Sequence, residues 1–189
     1  MSKLGRLAII GVGPSAIFLL KHLLGNIDRF QTSLRDVYLF DKRATLGTGM
    51  PYDRKTTDKY NLCNISSAEI PLLNQSLAGW LHPLSDEELA LQEVQRSEID
   101  EDETYRRTTL GDYFHAQYRS IVEALRAKGL TLHERSDCLV TDVIDHRPSE
   151  CVEIRFSNEE SIIVERVVIS TGHSFLEPDA EENGYYASP

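Results

Sequence analysis

The chain of 189 residues carries 20 Lys and Arg against 30 Asp and Glu, a net charge of −10 with its 6 histidines neutral, and is 41% hydrophobic and 26% charged. That length suits one domain with a sizeable core, and the composition excludes a disordered or fibrous chain. The acidic balance argues against nucleic acid or an anionic membrane as the main partner, because neutralising phosphates takes clustered Lys and Arg.

Lys3 and Arg6 precede an apolar run from Leu7 to Leu24 and imitate a signal peptide. Gly11, Gly13, Pro14, Ser15, Lys21 and His22 interrupt that run, and no small-residue cleavage pattern follows it. A spanning helix needs about 20 predominantly apolar residues. The run therefore reads as a buried strand, Leu7 to Ile10, turning at Gly11 to Ala16 into a helix from Ala16 to Leu24 that stops at Gly25-Asn26. Asp36 to Phe40 reads as a second strand ending at Asp41, which completes a βαβ unit of roughly 35 residues.

From about 42 to 129 the simple alternation breaks. The stretch holds a Gly-rich turn (Leu46 to Tyr52), a polar segment around Asn61 and Asn64, and Gly79-Trp80-Leu81. It is too long for a crossover and reads as an insertion on the sheet. Ser85-Asp86-Glu87-Glu88 has capping-box spacing and opens a short helix. Ser97 to Thr104 is acidic and reads as a mobile, exposed segment. Leu110 to Lys128 is an amphipathic helix with Tyr113, Phe114, Tyr118, Ile121, Val122 and Leu125 on or near one face, closed by Gly129. Four strands follow, at Leu130 to Glu134, Cys138 to Asp145, Cys151 to Ser157, and Ser161 to Ser170, the last bent near Arg166. The middle ones alternate apolar with polar between turn signals, as in an antiparallel meander with one wet face. The last apolar run leads directly into Ser170-Thr171-Gly172-His173.

The chemistry concentrates in Gly11-x-Gly13-x-x-Ala16, between a predicted strand and a predicted helix. In a dinucleotide fingerprint the first Gly permits a tight turn and the second lets the backbone approach a pyrophosphate; the small Ala16 lets helix and strand pack closely. Pro14 suits the first helical turn, where its missing N–H leaves nothing unpaired. Free N–H groups and the positive helix end, from Ser15 onward, then favour a diphosphate. Asp41 ends the second strand, where a carboxylate accepts from ribose hydroxyls; it lies a few residues beyond the usual spacing of about 20. Lys42 and Arg43 follow it and present the alternative of a 2′-phosphate, or as a lone charge pair lie in solvent.

A large insertion after the second strand, and a meander before the strand that ends in Thr171-Gly172, set this layout apart from a plain nicotinamide domain. It resembles the FAD-binding half of glutathione-reductase-like flavoproteins with two dinucleotide-binding domains. Within them the chain is similar to the bacterial FAD-NAD(P)-binding family, largely of uncharacterised activity. The similarity runs through GVGPSA at 11–16, the acid after strand two, GTGMPY at 47–52, NLCN at 61–64, Trp80-Leu81, Arg107-x-x-x-Gly111-x-Tyr113, STGH at 170–173 and the terminal stretch from Tyr185 to Pro189.

The resemblance implies an α/β fold: a Rossmann-type FAD/NAD(P)-binding domain over residues 1–189, with a parallel central sheet, an insertion at about 42–129 and an antiparallel β-meander. It implies that Gly11, Gly13 and Ser15 meet the FAD pyrophosphate and Asp41 the adenosine ribose. Gly47 and Gly49 would pass close to the cofactor, or simply make a turn. Arg107 would stand near the phosphates, fix the insertion, or pair with the acids at Glu101 to Glu103. Asn64 and Thr171 belong to the same motifs, Gly172 would permit a close pass beneath the ligand, and His173 would line the pocket.

The expected function is that of an FAD-binding domain in a flavin-dependent oxidoreductase, monooxygenase-like and NAD(P)H-linked, acting on an unidentified small molecule. The chain lacks a second G-x-G-x-x-G and is short for its family, so the reading is of a truncated or catalytically incomplete member. Two alternatives stay open: a non-catalytic FAD/NAD(P) sensor module, and a ligand-free interaction domain using the acidic segment 97–104. No catalytic acid or base is assignable. Ser15 lacks a G-x-S-x-G frame, the histidines show no metal spacing, and Cys63 near the pocket reads as an inert core thiol. Three widely spaced cysteines without a CxxC pair fit a reducing, cytoplasmic setting.

Overall fold

The apolar run after Gly5 forms strand β1 (Arg6–Ile10), and the chain turns into helix α1 (Pro14–Gly25) before returning as β2 (Asp36–Phe40). The structure, a computed structural model, describes residues 5–30 and 33–172. After β2 come two short helices, α2 (Leu77–Leu81) and α3 (Asp86–Gln92), and the long helix α4 (Arg107–Ala127). Strands β3 (Thr131–Arg135), β4 (Val140–His146), β5 (Cys151–Phe156), β6 (Ser161–Val164) and β7 (Arg166–Ile169) follow.

Strands β1, β2, β3 and β7 form a parallel sheet in the order β3-β2-β1-β7, and β4, β5 and β6 form a separate antiparallel sheet. The α/β reading with a parallel sheet and a meander is thus borne out. Ile10 pairs with Phe40 and with Ile169, and Phe40 pairs with Arg135, so all four parallel strands end level at one edge.

Both faces of the parallel sheet are covered, which is why β1 reads as a continuous apolar run. Ile9, Val37 and Leu39 point into a core shared with α1 and α4, while Ala8, Ile10 and Phe40 point into a second core with Ile154, Phe156 and Val164 of the meander. Helix α1 buries Ala16, Ile17, Leu20 and Leu23 at helical spacing. It ends where the Asn26 N–H and side-chain amide both donate to His22 O. Helix α4 buries Leu110, Tyr113, Phe114, Gln117, Tyr118, Ile121, Val122 and Leu125. The two helices meet through an edge-to-face contact of Phe18 with Phe114, at 6.4 Å between centroids.

Three expectations need correction. Helix α4 starts at Arg107, three residues before the expected Leu110, because Arg107 N–H donates to Asn61 O at 2.9 Å and Leu110 N–H to Arg106 O at 3.1 Å. The expected single strand from Ser161 to Ser170 is two strands in different sheets. The break falls at Glu165, whose carboxylate accepts from the Arg6 N–H at 2.7 Å and pairs with its guanidinium at 2.9 Å. The acidic run 97–104 is largely exposed as expected but hydrogen-bonded to the rest of the chain: Glu101 O and Glu103 O accept from the N–H groups of Ala68 and Ser67, and Ile99 is buried. The Glu101 carboxylate also accepts from the Ser67 and Ser76 hydroxyls, so the acids serve the turn at 67–69 and the start of α2. The capping box at Ser85 opens α3 as expected. Among the described residues no helix is long and apolar enough to cross a membrane.

Candidate functional site at the C-terminal edge of the parallel sheet

Strand order reverses at β1, with β2 and β3 on one side and β7 on the other. In open α/β sheets such a reversal leaves a crevice beyond the carboxyl ends of the strands, and ligands bind there. The turn that follows β1 crosses this crevice, and its geometry separates the two fingerprint glycines.

Gly11 has φ +87°, and a Cβ on it would lie 2.6 Å from Ser170 O and 2.7 Å from the Thr171 Cα. The fold itself therefore requires glycine at this position. Gly13 has φ −100° and ψ −165°, ordinary extended backbone, and among the described residues a Cβ on it would meet only the Gly49 Cα at 3.4 Å. Packing gives no reason for a bare Cα there. Gly13 is also the N-cap of α1 and supplies no side-chain oxygen to the helix, and Pro14 follows without an N–H. The amides of Ser15 and Ala16 stand at the open N-terminal end of α1 and have no intrahelical acceptor. Ser15 is exposed and Ala16 fully buried against the sheet.

Asp41 stands at the end of β2, facing the turn. Its Oδ2 accepts from the Val12 N–H at 2.8 Å and its Oδ1 from the Arg43 N–H at 3.0 Å. Lys42 beside it is exposed. The loop at 46–52 closes over the turn from the helical side. Gly47 N–H donates to Val12 O at 2.7 Å, a Cβ on Gly47 would strike Tyr118 of α4 at 2.7 Å, and one on Gly49 would strike the Pro14 ring at 2.7 Å. Packing on α1 and α4 thus accounts for both glycines. Gly111 of α4 lies under the same loop, where a Cβ would come within 3.0 Å of Thr48 Cγ2 and closer still to Tyr52 O.

The structure brings Gly11, Gly13, Pro14, Asp41, Gly47 and Gly49 together, with the exit of β7 at Ser170 and Thr171 against Gly11. Gly172 has φ +72° and open space on the side a Cβ would occupy. His173 lies outside the described residues. Asn64 and Arg107 form a second group at the start of α4. The Arg107 Nε donates to Leu62 O at 3.3 Å, so its guanidinium braces the 61–64 segment, and Asn64 is exposed beside buried Cys63. Burial pushes the Cys63 thiol up to about 11, against the opposing Arg107 charge. It stays protonated near neutral pH, as an inert core thiol does.

One contributor escaped the site residues read from sequence. The Ser170 hydroxyl donates to Gly11 O at 2.6 Å across 159 residues. Its motif, STGH, was visible, but its partner is adjacent only in the folded sheet. An open hollow of about 520 Å³ between β7 and the β4–β5 hairpin is lined by Val143, Val152, Val167 and Ile169 among others and by none of the fingerprint residues.

Three comparisons bear on this arrangement. An Escherichia coli (strain K12) protein, the uncharacterised YdhS, is 28% identical over 186 residues, 97% of this chain and 33% of that relative. A cyclohexanone-bound cyclohexanone monooxygenase in its rotated conformation superposes with a TM-score of 0.56 at 16% identity, covering 91% of this chain and 28% of that one. The OTEMO complex with FAD and NADP gives a TM-score of 0.55 at 15% identity, covering 95% and 28%. The chain therefore spans about a third of the length of the curated relative it matches. At these identities the structural likeness establishes a shared Rossmann-type fold. A family model described as FAD-NAD(P)-binding matches residues 8–174, and the chain belongs to that family.

Proposed function

We propose that the edge formed by Gly11 to Ala16, Asp41, Thr171 and Gly172 holds FAD, and that the domain serves a flavin-dependent, NAD(P)H-linked oxidoreductase of the monooxygenase-like kind. The observation that carries this reading is Gly13. Its backbone is ordinary and its surroundings accept a Cβ, so its bare Cα is explained by a ligand passing close. In this reading the Ser15 and Ala16 amides donate to the pyrophosphate, and Asp41, whose carboxylate retains acceptor capacity beyond its two backbone bonds, accepts from the ribose. Thr171 and Gly172 pass beneath the ligand. Arg107 braces the 61–64 segment that carries Asn64, Gly47 and Gly49 seat the loop that packs on the turn, and Lys42 stays in solvent.

FAD supplies the redox chemistry of its isoalloxazine when bound, and the chain's own part is to bind and orient it. The monooxygenase-like part of the reading is supported by the fold shared with cyclohexanone monooxygenase, and the two cofactors by the fold shared with OTEMO, which is described in complex with FAD and NADP. A reducing, cytosolic setting belongs to the same proposal, supported by three separate free thiols.

The test is to denature the purified chain and identify the nucleotide released, then titrate the stripped protein with FAD, NAD and NADP while following melting temperature. FAD release, or an upward shift with FAD, is expected; no flavin band and no shift with any of the three would overturn the cofactor reading. Anaerobic addition of NADH or NADPH then separates an oxidoreductase, whose flavin bleaches, from a binding module, whose flavin does not.

A further inference from the structure

The peptide unit between Gly11 and Val12 is gripped on both sides by side chains from different strands. Its carbonyl oxygen accepts from the Ser170 hydroxyl, just past β7, at 2.6 Å. Its N–H donates to Asp41 Oδ2, just past β2, at 2.8 Å. The next carbonyl, of Val12, is held by the Gly47 N–H at 2.7 Å. Rotation of this peptide turns ψ of Gly11, which no Cβ restricts, together with φ of Val12, so the glycine side of the unit depends on hydrogen bonds to stay in place. Here a flip would turn the Gly11 carbonyl oxygen against the Asp41 carboxylate and break both bonds. This peptide leads through Val12 and Gly13 into the N-terminus of α1, so holding it fixes the path of the turn on which the Gly13 Cα is presented in front of the Ser15 and Ala16 amides.

We propose that Ser170 is a positioning residue of the dinucleotide site: paired with Asp41, it holds the Gly11–Val12 peptide in the orientation that presents the fingerprint amides to the pyrophosphate before ligand arrives. This rests on the proposed FAD site and adds to it a residue that touches the turn rather than the ligand. The hydroxyl acts through pre-organisation. A turn correctly set only part of the time weakens apparent affinity by that fraction and slows association, while leaving dissociation of bound ligand nearly unchanged.

The experiment uses the 189-residue chain and its Ser170→Ala and Ser170→Thr variants. FAD and ADP are titrated into each, FAD association and dissociation rates are measured by stopped flow, and amide hydrogen exchange at Val12 is followed without ligand. Ser170→Ala is expected to bind FAD and ADP about 3- to 10-fold more weakly, the worth of one neutral hydrogen bond. The loss should fall on the association rate, with faster exchange of the Val12 amide. Ser170→Thr, which keeps the hydroxyl, should restore all three. Wild-type affinity in Ser170→Ala, unchanged Val12 protection, or a Thr variant as weak as the Ala variant would overturn the role of Ser170 and leave the FAD site standing. A wild-type chain that binds neither FAD nor ADP would overturn the site and this role together.

Discussion

The Cα of Gly49 lies 3.4 Å from the point a Cβ on Gly13 would occupy, an ordinary van der Waals contact. The fold therefore accepts a Cβ at Gly13, and its extended backbone is the conformation that N-cap residues adopt. An aspartate there would cap α1 well and at the same time set a negative charge where the pyrophosphate is proposed to lie. Gly13→Asp is expected to leave stability unchanged or raise it by a few tenths of a kcal/mol, while FAD binding falls below detection at concentrations that saturate the wild type. Thermal melts and equilibrium dialysis on one preparation measure both. Retained affinity would move the diphosphate elsewhere.

Gly11→Ala should behave in the opposite way, as a folding defect. Its Cβ would meet backbone atoms of Ser170 and Thr171 at 2.6 and 2.7 Å, and its φ of +87° is strained for any L side chain. A loss of about 3 kcal/mol is expected from strain and the forced separation of β1 from β7. Urea unfolding at neutral pH checks it, and a loss under 1 kcal/mol would mean the strand exits part easily.

Acid stability should depend on the contact between Tyr118 and Glu134, which ties α4 to β3 at 2.7 Å. Burial alone would push the Glu134 carboxyl up, but the hydrogen bonds from Tyr118 and Arg126 and the charges of Arg126 and Arg119 outweigh it and hold it below the ordinary glutamate value. A carboxyl lowered by folding contributes stability that is complete above its unfolded pKa, about 4.3, and is lost as pH falls through the folded one. Tyr118→Phe removes one lowering contact, so it should cost about 1 kcal/mol at neutral pH and move the onset of acid unfolding to higher pH. Unfolding curves at a series of pH values would show an unshifted acid limb if the hydroxyl were idle.

The hairpin between β5 and β6 holds a residue in an unfavourable conformation. Glu159 has φ +67° in a turn closed by Glu159 N–H to Phe156 O at 3.2 Å and Phe156 N–H to Glu160 O at 3.0 Å. Glycine takes this left-handed position without a Cβ penalty. Glu159→Gly is expected to stabilise the protein by about 0.5–1 kcal/mol, read as a raised denaturation midpoint at unchanged m-value.

Much of the first βαβ unit is legible without coordinates because its signals are local. The run from Leu7 to Ile10, the glycines with Pro14 behind them, and the period of Ala16, Ile17, Leu20 and Leu23 each act over a few residues. The acidic run at 97–104 is largely exposed, as its charge predicts, but charge does not announce that its backbone carbonyls and the Glu101 carboxylate are recruited as acceptors by residues about thirty positions earlier. The strand expected from Ser161 to Ser170 misleads for the same reason: no local pattern announces that Arg6 will capture Glu165 and divide it between two sheets.

Sequence alone determines the class of this protein, its family and the turn at Gly11 to Ala16, since those depend on periodicity and on residue types at fixed short spacing. Only the tertiary structure decides what each glycine is for. Gly11 is bare because β7 exits against it, Gly47 and Gly49 because a loop packs on α4 and α1, and Gly13 for no packing reason at all. Nor does sequence reveal that Asp41 and Ser170, 129 residues apart, hold the two ends of one peptide. Parallel strands bring together residues separated by whole crossovers, and the bonds made where the strands end belong to the sheet and to no segment of the chain.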